Sequence, residues 1–125
     1  MTKLLTGALL LVAGSAMAAE PIQGTWRTAG GELVEAARCD KQYCLTLKTG
    51  QYAGQKIGEL KGDSIHYKGT VTDPKDNKSY TGSANISTPF SGPQTLELKG
   101  CVLKFLCKSQ SWEKVTGPGK DKIAL

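Results

Sequence analysis

Two neighbouring runs in the middle of the chain alternate in side-chain character with a period of two, and that alternation constrains the fold more than any other feature. In Ser64–Thr72, Ile65, Tyr67, Gly69 and Val71 fall on one side, and Ser64, His66, Lys68, Thr70 and Thr72 on the other. In Tyr80–Ser87, Tyr80, Gly82, Ala84 and Ile86 oppose Thr81, Ser83, Asn85 and Ser87. Successive side chains of an extended chain point to opposite faces, so each run reads as a strand with one buried and one wet face. Asp73-Pro74-Lys75-Asp76-Asn77 lies between them, and its residues favour turn dihedrals, so the pair reads as a hairpin.

The rest of the chain follows the same rhythm. Gly24–Thr28 is a short run of β-formers stopped by Gly30-Gly31. Glu32–Arg38 has helix-favouring residues but is brief, and reads as a strand running into a cysteine and a turn. Tyr43–Lys48 puts Tyr43, Leu45 and Leu47 on one face, and Gln55–Lys61 is a weaker run holding Ile57 and Leu60. Thr95–Val102 carries Leu96, Leu98 and Gly100 on one side, and Leu106–Val115 closes the series with Trp112. The count is about eight short strands at roughly ten-residue spacing with no convincing helix between them. Consecutive antiparallel neighbours are the economical topology. An open sheet would leave an apolar face in water; a sandwich or a barrel covers it. The expected fold is all-β, a small closed antiparallel up-and-down barrel whose interior is either filled or holds one small ligand.

Residues 1–18 read as a leader rather than as part of the domain. Lys3 is followed by the uncharged apolar run Leu4–Ala13, and then by small residues ending in Ala16-Met17-Ala18. This is the three-part pattern of a secretory signal peptide. A helix of that length rises only about 15 Å, half the hydrocarbon thickness, so it is too short to span a membrane. No further long apolar run follows, and the first cysteine is Cys39, so the mature chain is expected to be exported to the periplasm or secreted, without a transmembrane segment or a lipid-modified amino terminus. The expected organisation is a leader over 1–18, one barrel domain over 19–116 and a flexible tail over 117–125.

The four cysteines suit that destination. Cys39 and Cys44 sit in CDKQYC, and Cys101 and Cys107 in CVLKFLC. An even count in an exported chain reads as disulfides. Each pair brackets a short segment between strand-like runs, which favours Cys39–Cys44 and Cys101–Cys107; crossed pairing of distant strands stays open. Zinc ligation ordinarily uses tighter spacing, and a thioredoxin-like pair needs Cys-x-x-Cys, which is absent.

Several pieces in order along the chain resemble the bacterial family of domain of unknown function 2147. They are the export signal, Pro21-Ile22-Gln23-Gly24-Thr25-Trp26-Arg27-Thr28, the Cys39–Cys44 region, Val71-Thr72-Asp73-Pro74-Lys75-Asp76-Asn77-Lys78-Ser79-Tyr80, and the ending from Leu98-Lys99-Gly100-Cys101 through Cys107-Lys108-Ser109-Gln110-Ser111-Trp112. The resemblance implies a small exported protein with a lipocalin-like barrel and no established activity. The chain departs from it at Lys114, where arginine is common, and in the short stretch between Thr46 and Ile57. Gly24-Thr25-Trp26 also looks like the Gly-x-Trp that opens lipocalin barrels, with the tryptophan plugging one end. Trp112 near the other terminus could pack beside it, since first and last strands meet when a barrel closes.

Catalytic equipment is missing from the sequence. His66, the single histidine, falls on the polar face of its strand, and nothing places a nucleophile and an orienting carboxylate beside it. Asp73, Asp76 and Asn77 lack the alternating acids, glycine and closing glutamate of a calcium loop. No phosphate-cradling glycine motif occurs, so nucleotide chemistry has no support in the sequence. No cofactor and no metal site is expected. The formal net charge of +5 is spread along the chain without a basic block or interleaved aromatics, which argues against nucleic acid. A mild attraction to anionic envelope components is compatible with it. The expected function is binding of a small apolar or amphipathic ligand, with inward Trp26, Ile65, Tyr67, Val71, Tyr80, Leu96 and Trp112 as candidate lining. The alternative is an envelope interaction or structural protein that uses its outer surface. An enzyme is the least supported class.

Overall fold

The computed structural model describes residues 20–102 and 106–116. The expected leader, 1–18, and tail, 117–125, lie outside the described residues. Eight strands follow one another: β1 (Gly24–Arg27), β2 (Leu33–Cys39), β3 (Gln42–Leu47), β4 (Lys56–Asp63), β5 (His66–Asp73), β6 (Lys78–Ser87), β7 (Thr95–Val102) and β8 (Leu106–Thr116). Each pairs antiparallel with the next, and β1 pairs with β8, so the sheet closes into the expected up-and-down barrel. Closure removes both sheet edges and gives every inward side chain a common centre.

The alternation carries through to the wall. Tyr43, Leu45 and Leu47 of β3, Ala84 and Ile86 of β6, and Leu96 and Leu98 of β7 are buried, while Glu35, Lys61, Lys68, Thr81, Glu97 and Lys99 are exposed. A wall that is polar outside and apolar inside is the reverse of a lipid-embedded barrel. Among the described residues no helix is long and apolar enough to cross a membrane.

Two local departures correct the reading by period. Ile57 and Leu60 are both buried although they are three apart, because the β3–β4 register shifts: Leu45 faces Gly58 and Thr46 faces Lys56, leaving Ile57 as the extra residue of a bulge. The hairpin strand begins at His66 rather than Ser64. Ser64 turns the chain with a positive φ of 58°, and Ile65 sits in that turn, 47% exposed. Ile65 therefore falls outside the barrel wall and does not line the interior.

Both disulfides join the cysteines closest in sequence. Cys39–Cys44 clamps the β2–β3 turn, and Cys101–Cys107, directly opposite each other, clamp the ends of β7 and β8. Closing loops this short stabilises by about 2 kcal/mol each in the chain-entropy picture.

The two ends of the barrel differ. At one end the segment Glu20–Gln23 folds across the opening. The Trp26 indole N–H donates to the Ile22 carbonyl at 2.9 Å, and the Glu20 carboxylate accepts from the Ser64 N–H at 2.9 Å, with the Tyr67 hydroxyl also 2.9 Å away. Ile22, Trp26 and Tyr67 are buried there, and Tyr43 meets Tyr67 edge-on. At the other end Thr28 and Glu32 of the β1–β2 connection, Asp73 and Pro74 at the end of β5, and the strand ends Val102 and Leu106 ring an open mouth.

Candidate functional site

The interior is packed at the plugged end and hollow at the other. A cavity of about 820 Å³ lies beneath the mouth, walled by Leu47, Ile57, Val71, Tyr80, Leu98 and Trp112 and rimmed by Thr28, Asp73, Val102 and Leu106. This volume falls within the range of about 300–1,000 Å³ usual for small-molecule sites.

A row of glycines crosses the wall beside the cavity. Gly69, Gly82 and Gly100 stand opposite one another across β5, β6 and β7, and Lys108 of β8 is next in the same row. Val71 leans into the place a Gly82 side chain would take, since a Cβ there would come within 2.0 Å of its Cγ2. A Cβ on Gly100 would make only ordinary contacts, with Tyr80 Cβ at 3.8 Å and Val71 Cβ at 3.9 Å, so a side chain there would add bulk to the cavity wall beside these two residues.

Of the residues expected to line a ligand site, Val71, Tyr80 and Trp112 do line the cavity. Trp26, Tyr67 and Leu96 are buried in the packed half, where they form the floor and plug, and Ile65 lies outside on its turn. Leu47, Ile57, Leu98, Lys108 and Gln110 line the cavity without having been singled out from the sequence. Lys108 and Gln110 share the inward parity of Trp112 on β8, which is the signal that points to them.

Trp26 and Trp112 belong to one hydrophobic core, but Trp112 is not the residue directly opposite Trp26. In the β1–β8 pairing Lys114 stands opposite Trp26, with Nζ 4.6 Å from the ring centroid. Lys114 is only 3% exposed and donates to the carbonyls of Pro21 and Gln23 at 2.6 and 2.7 Å. A buried ammonium is tolerated only when such acceptors replace water. Lys114 thus ties the last strand to the plug.

Burial pushes Lys114 down from 10.5 to about 8. Between those values the unfolded chain holds a proton that the folded chain has released, so stability rises with pH across that window and the cost of burying the cation is fully present below it. The rise is at most about 3 kcal/mol, less whatever preference for the ammonium the two carbonyls and the ring supply. Tyr67 is shifted the other way, well above its ordinary 10.0, first by burial and then by the Glu20 carboxylate beside its hydroxyl. The stability held by that neutral phenol is complete below pH 10 and falls as pH rises past it. Chemical denaturation at a series of pH values will show a rise from about pH 8 that Lys114→Met lacks, and a fall above pH 10 that Tyr67→Phe lessens. A Lys114→Met curve parallel to that of the parent would refute the first assignment.

Among the described residues no group of three or more histidine, cysteine, aspartate or glutamate side chains is placed to hold a metal ion. His66 is exposed on the outer wall, its Nδ1 2.5 Å from the Asn85 side-chain oxygen. Asp73 and Asp76 accept from the backbone N–H groups of Lys75 and Lys78, so this segment is a hairpin turn held by its own side chains. No curated protein and no solved structure matches the chain. A family model matches residues 46–114, which run from β3 through β8 and carry most of the cavity wall. That stretch is more than half of the chain, and the protein belongs to the family described as uncharacterised protein conserved in bacteria, DUF2147.

Proposed function

We propose that this protein is an exported binding module that holds a small apolar or amphipathic molecule in the open half of its barrel. The observation that carries the reading is the cavity of about 820 Å³, apolar along most of its wall and reached through the mouth. A concave, mostly apolar hollow with a small number of polar groups is the usual form of a small-molecule site. Export is supported by the leader-like pattern of residues 1–18 and by two disulfides, which persist in oxidising compartments. We assign it a carrier role rather than an enzymatic one; the single histidine is on the outer wall, away from the cavity.

Native mass spectrometry of protein taken from its source envelope tests this directly. The parent protein is expected to carry a co-purified small molecule, and Gly100→Leu, which adds bulk at a position lining the cavity, is expected to be empty while still folded. A parent protein that is itself empty would overturn the reading. A second reading, contact of the outer surface with an envelope partner, draws support from Phe90, 92% exposed in the β6–β7 loop, and from exposed Ile65. Cross-linking in cells that traps one defined partner through Phe90 would favour it.

A further inference from the structure

We propose that the ligand is a single-chain anionic amphiphile whose headgroup is held by Lys108 and Gln110 and whose chain lies against Val71, Leu98 and Trp112. This inference rests on the binding reading above and names the chemistry of the ligand. Its basis is the set of polar groups that β8 turns toward the cavity.

From the mouth inward, alternate residues Leu106, Lys108, Gln110 and Trp112 of β8 line the cavity, with the disulfide-bonded Cys107 beside them at the rim. Lys108 offers only donors. Gln110 would ordinarily offer both a donor and an acceptor, but its side-chain oxygen accepts the Trp112 indole N–H at 2.8 Å. An indole N–H can only donate, so this bond fixes which end of the amide faces Trp112 and leaves the NH₂ group for the cavity. Trp112 thereby orients Gln110, and the polar equipment of this wall is donor-rich: an ammonium and an amide NH₂, two residues apart on one face. That pair complements a carboxylate or another small oxyanion.

The surroundings agree. Gly100 stands opposite Lys108, so no neighbouring side chain on β7 blocks the lysine stem from reaching inward. Among the described residues no ion pair occupies Lys108. The two carboxylates at the mouth, Asp73 and Glu32, have other neighbours. Asp73 accepts from the Lys75 N–H at 2.9 Å, and the Glu32 carboxylate lies over Gly50, 2.8 Å from where a Cβ there would stand. Below the donors the wall is apolar. A headgroup near the mouth with a chain running inward matches this order of residues, and a wholly apolar ligand would make no use of the donors.

Calorimetric titration of the disulfide-bonded protein with dodecanoate, dodecanol and dodecyltrimethylammonium, each kept below its micelle concentration, tests the assignment. Dodecanoate is expected to bind about tenfold or more tighter than either of the others, the scale of one charge-assisted contact. Lys108→Gln, at an exposed position that spares the packed half, is expected to remove most of that preference and to leave dodecanol binding within about twofold. Added salt should weaken dodecanoate binding to the parent protein and leave dodecanol unchanged, a readout that needs no variant. Equal affinity for all three, a preference for the ammonium, or a Lys108→Gln protein that keeps the full preference would overturn the headgroup assignment and leave the cavity reading standing. Failure of all three to bind would overturn both.

Discussion

Trp26→Ala will destabilise the barrel by about 3–5 kcal/mol, the range for deleting a large buried aromatic. Trp26 is fully buried and joins three separate parts of the chain. It sits on β1, its indole N–H donates to the Ile22 carbonyl of the plug, and its ring underlies the Lys114 ammonium of β8. Alanine leaves a void, an orphaned carbonyl and a cation with one face uncovered, all at the seam where first and last strands close the sheet. Water entering there will rehydrate Lys114, so the rise of stability above about pH 8 will fade in the same variant. Trp26→Phe keeps an aromatic face for the ammonium and loses the indole bond, so it will cost distinctly less. Urea unfolding measures both; a loss below about 1 kcal/mol for alanine would show that the plugged end does not hold the barrel closed.

The second large effect is expected at a glycine. Gly69→Ala will cost about 3 kcal/mol or more, at or beyond the upper end of ordinary overpacking, because the added Cβ has a backbone carbonyl in its way. It would lie 2.0 Å from the Glu59 oxygen and 3.0 Å from the Leu60 Cα, so strands β4 and β5 must separate there. Gly100→Ala, in the same row two strands away, meets only ordinary contacts at 3.8 Å and beyond, and will change stability by no more than about 0.5 kcal/mol. Thermal melts of the two variants side by side decide the matter. Equal melting temperatures would mean that the row of glycines serves flexibility rather than close strand approach.

That contrast bears on how far a single chain can be read. Tyr67, Val71, Tyr80 and Leu96 are recognisable from parity alone as residues on the apolar side of a strand. Parity does not distinguish a residue that fills the plugged end, as Tyr67 does, from one that lines the hollow, as Val71 does. Ile65 continues the alternation of the strand after it, yet Ser64 has already turned the chain, and side-chain character carries no mark of where pairing stops. Ile57 and Leu60 make a weak run because a bulge breaks their period, and a bulge is a property of two strands in register, not of one. Lys114 reads as a wet residue beside Trp112. Its burial depends on carbonyls from Pro21 and Gln23, more than ninety residues away in the chain.

The count of about eight strands and their meander order were determined by the sequence itself, because they rest on local physics: alternate side chains face opposite ways and turn residues reverse the chain. Loop length favoured pairing each cysteine with its nearest neighbour, and the fold decided it by placing Cys101 directly opposite Cys107 and Cys39 beside Cys44 across the β2–β3 turn. The plug, the bulge, the buried lysine and the hollow beneath the mouth were decided by tertiary structure alone. Each arises where groups distant in sequence meet across a closed sheet, and free volume is whatever the inward side chains of all the strands together leave unfilled.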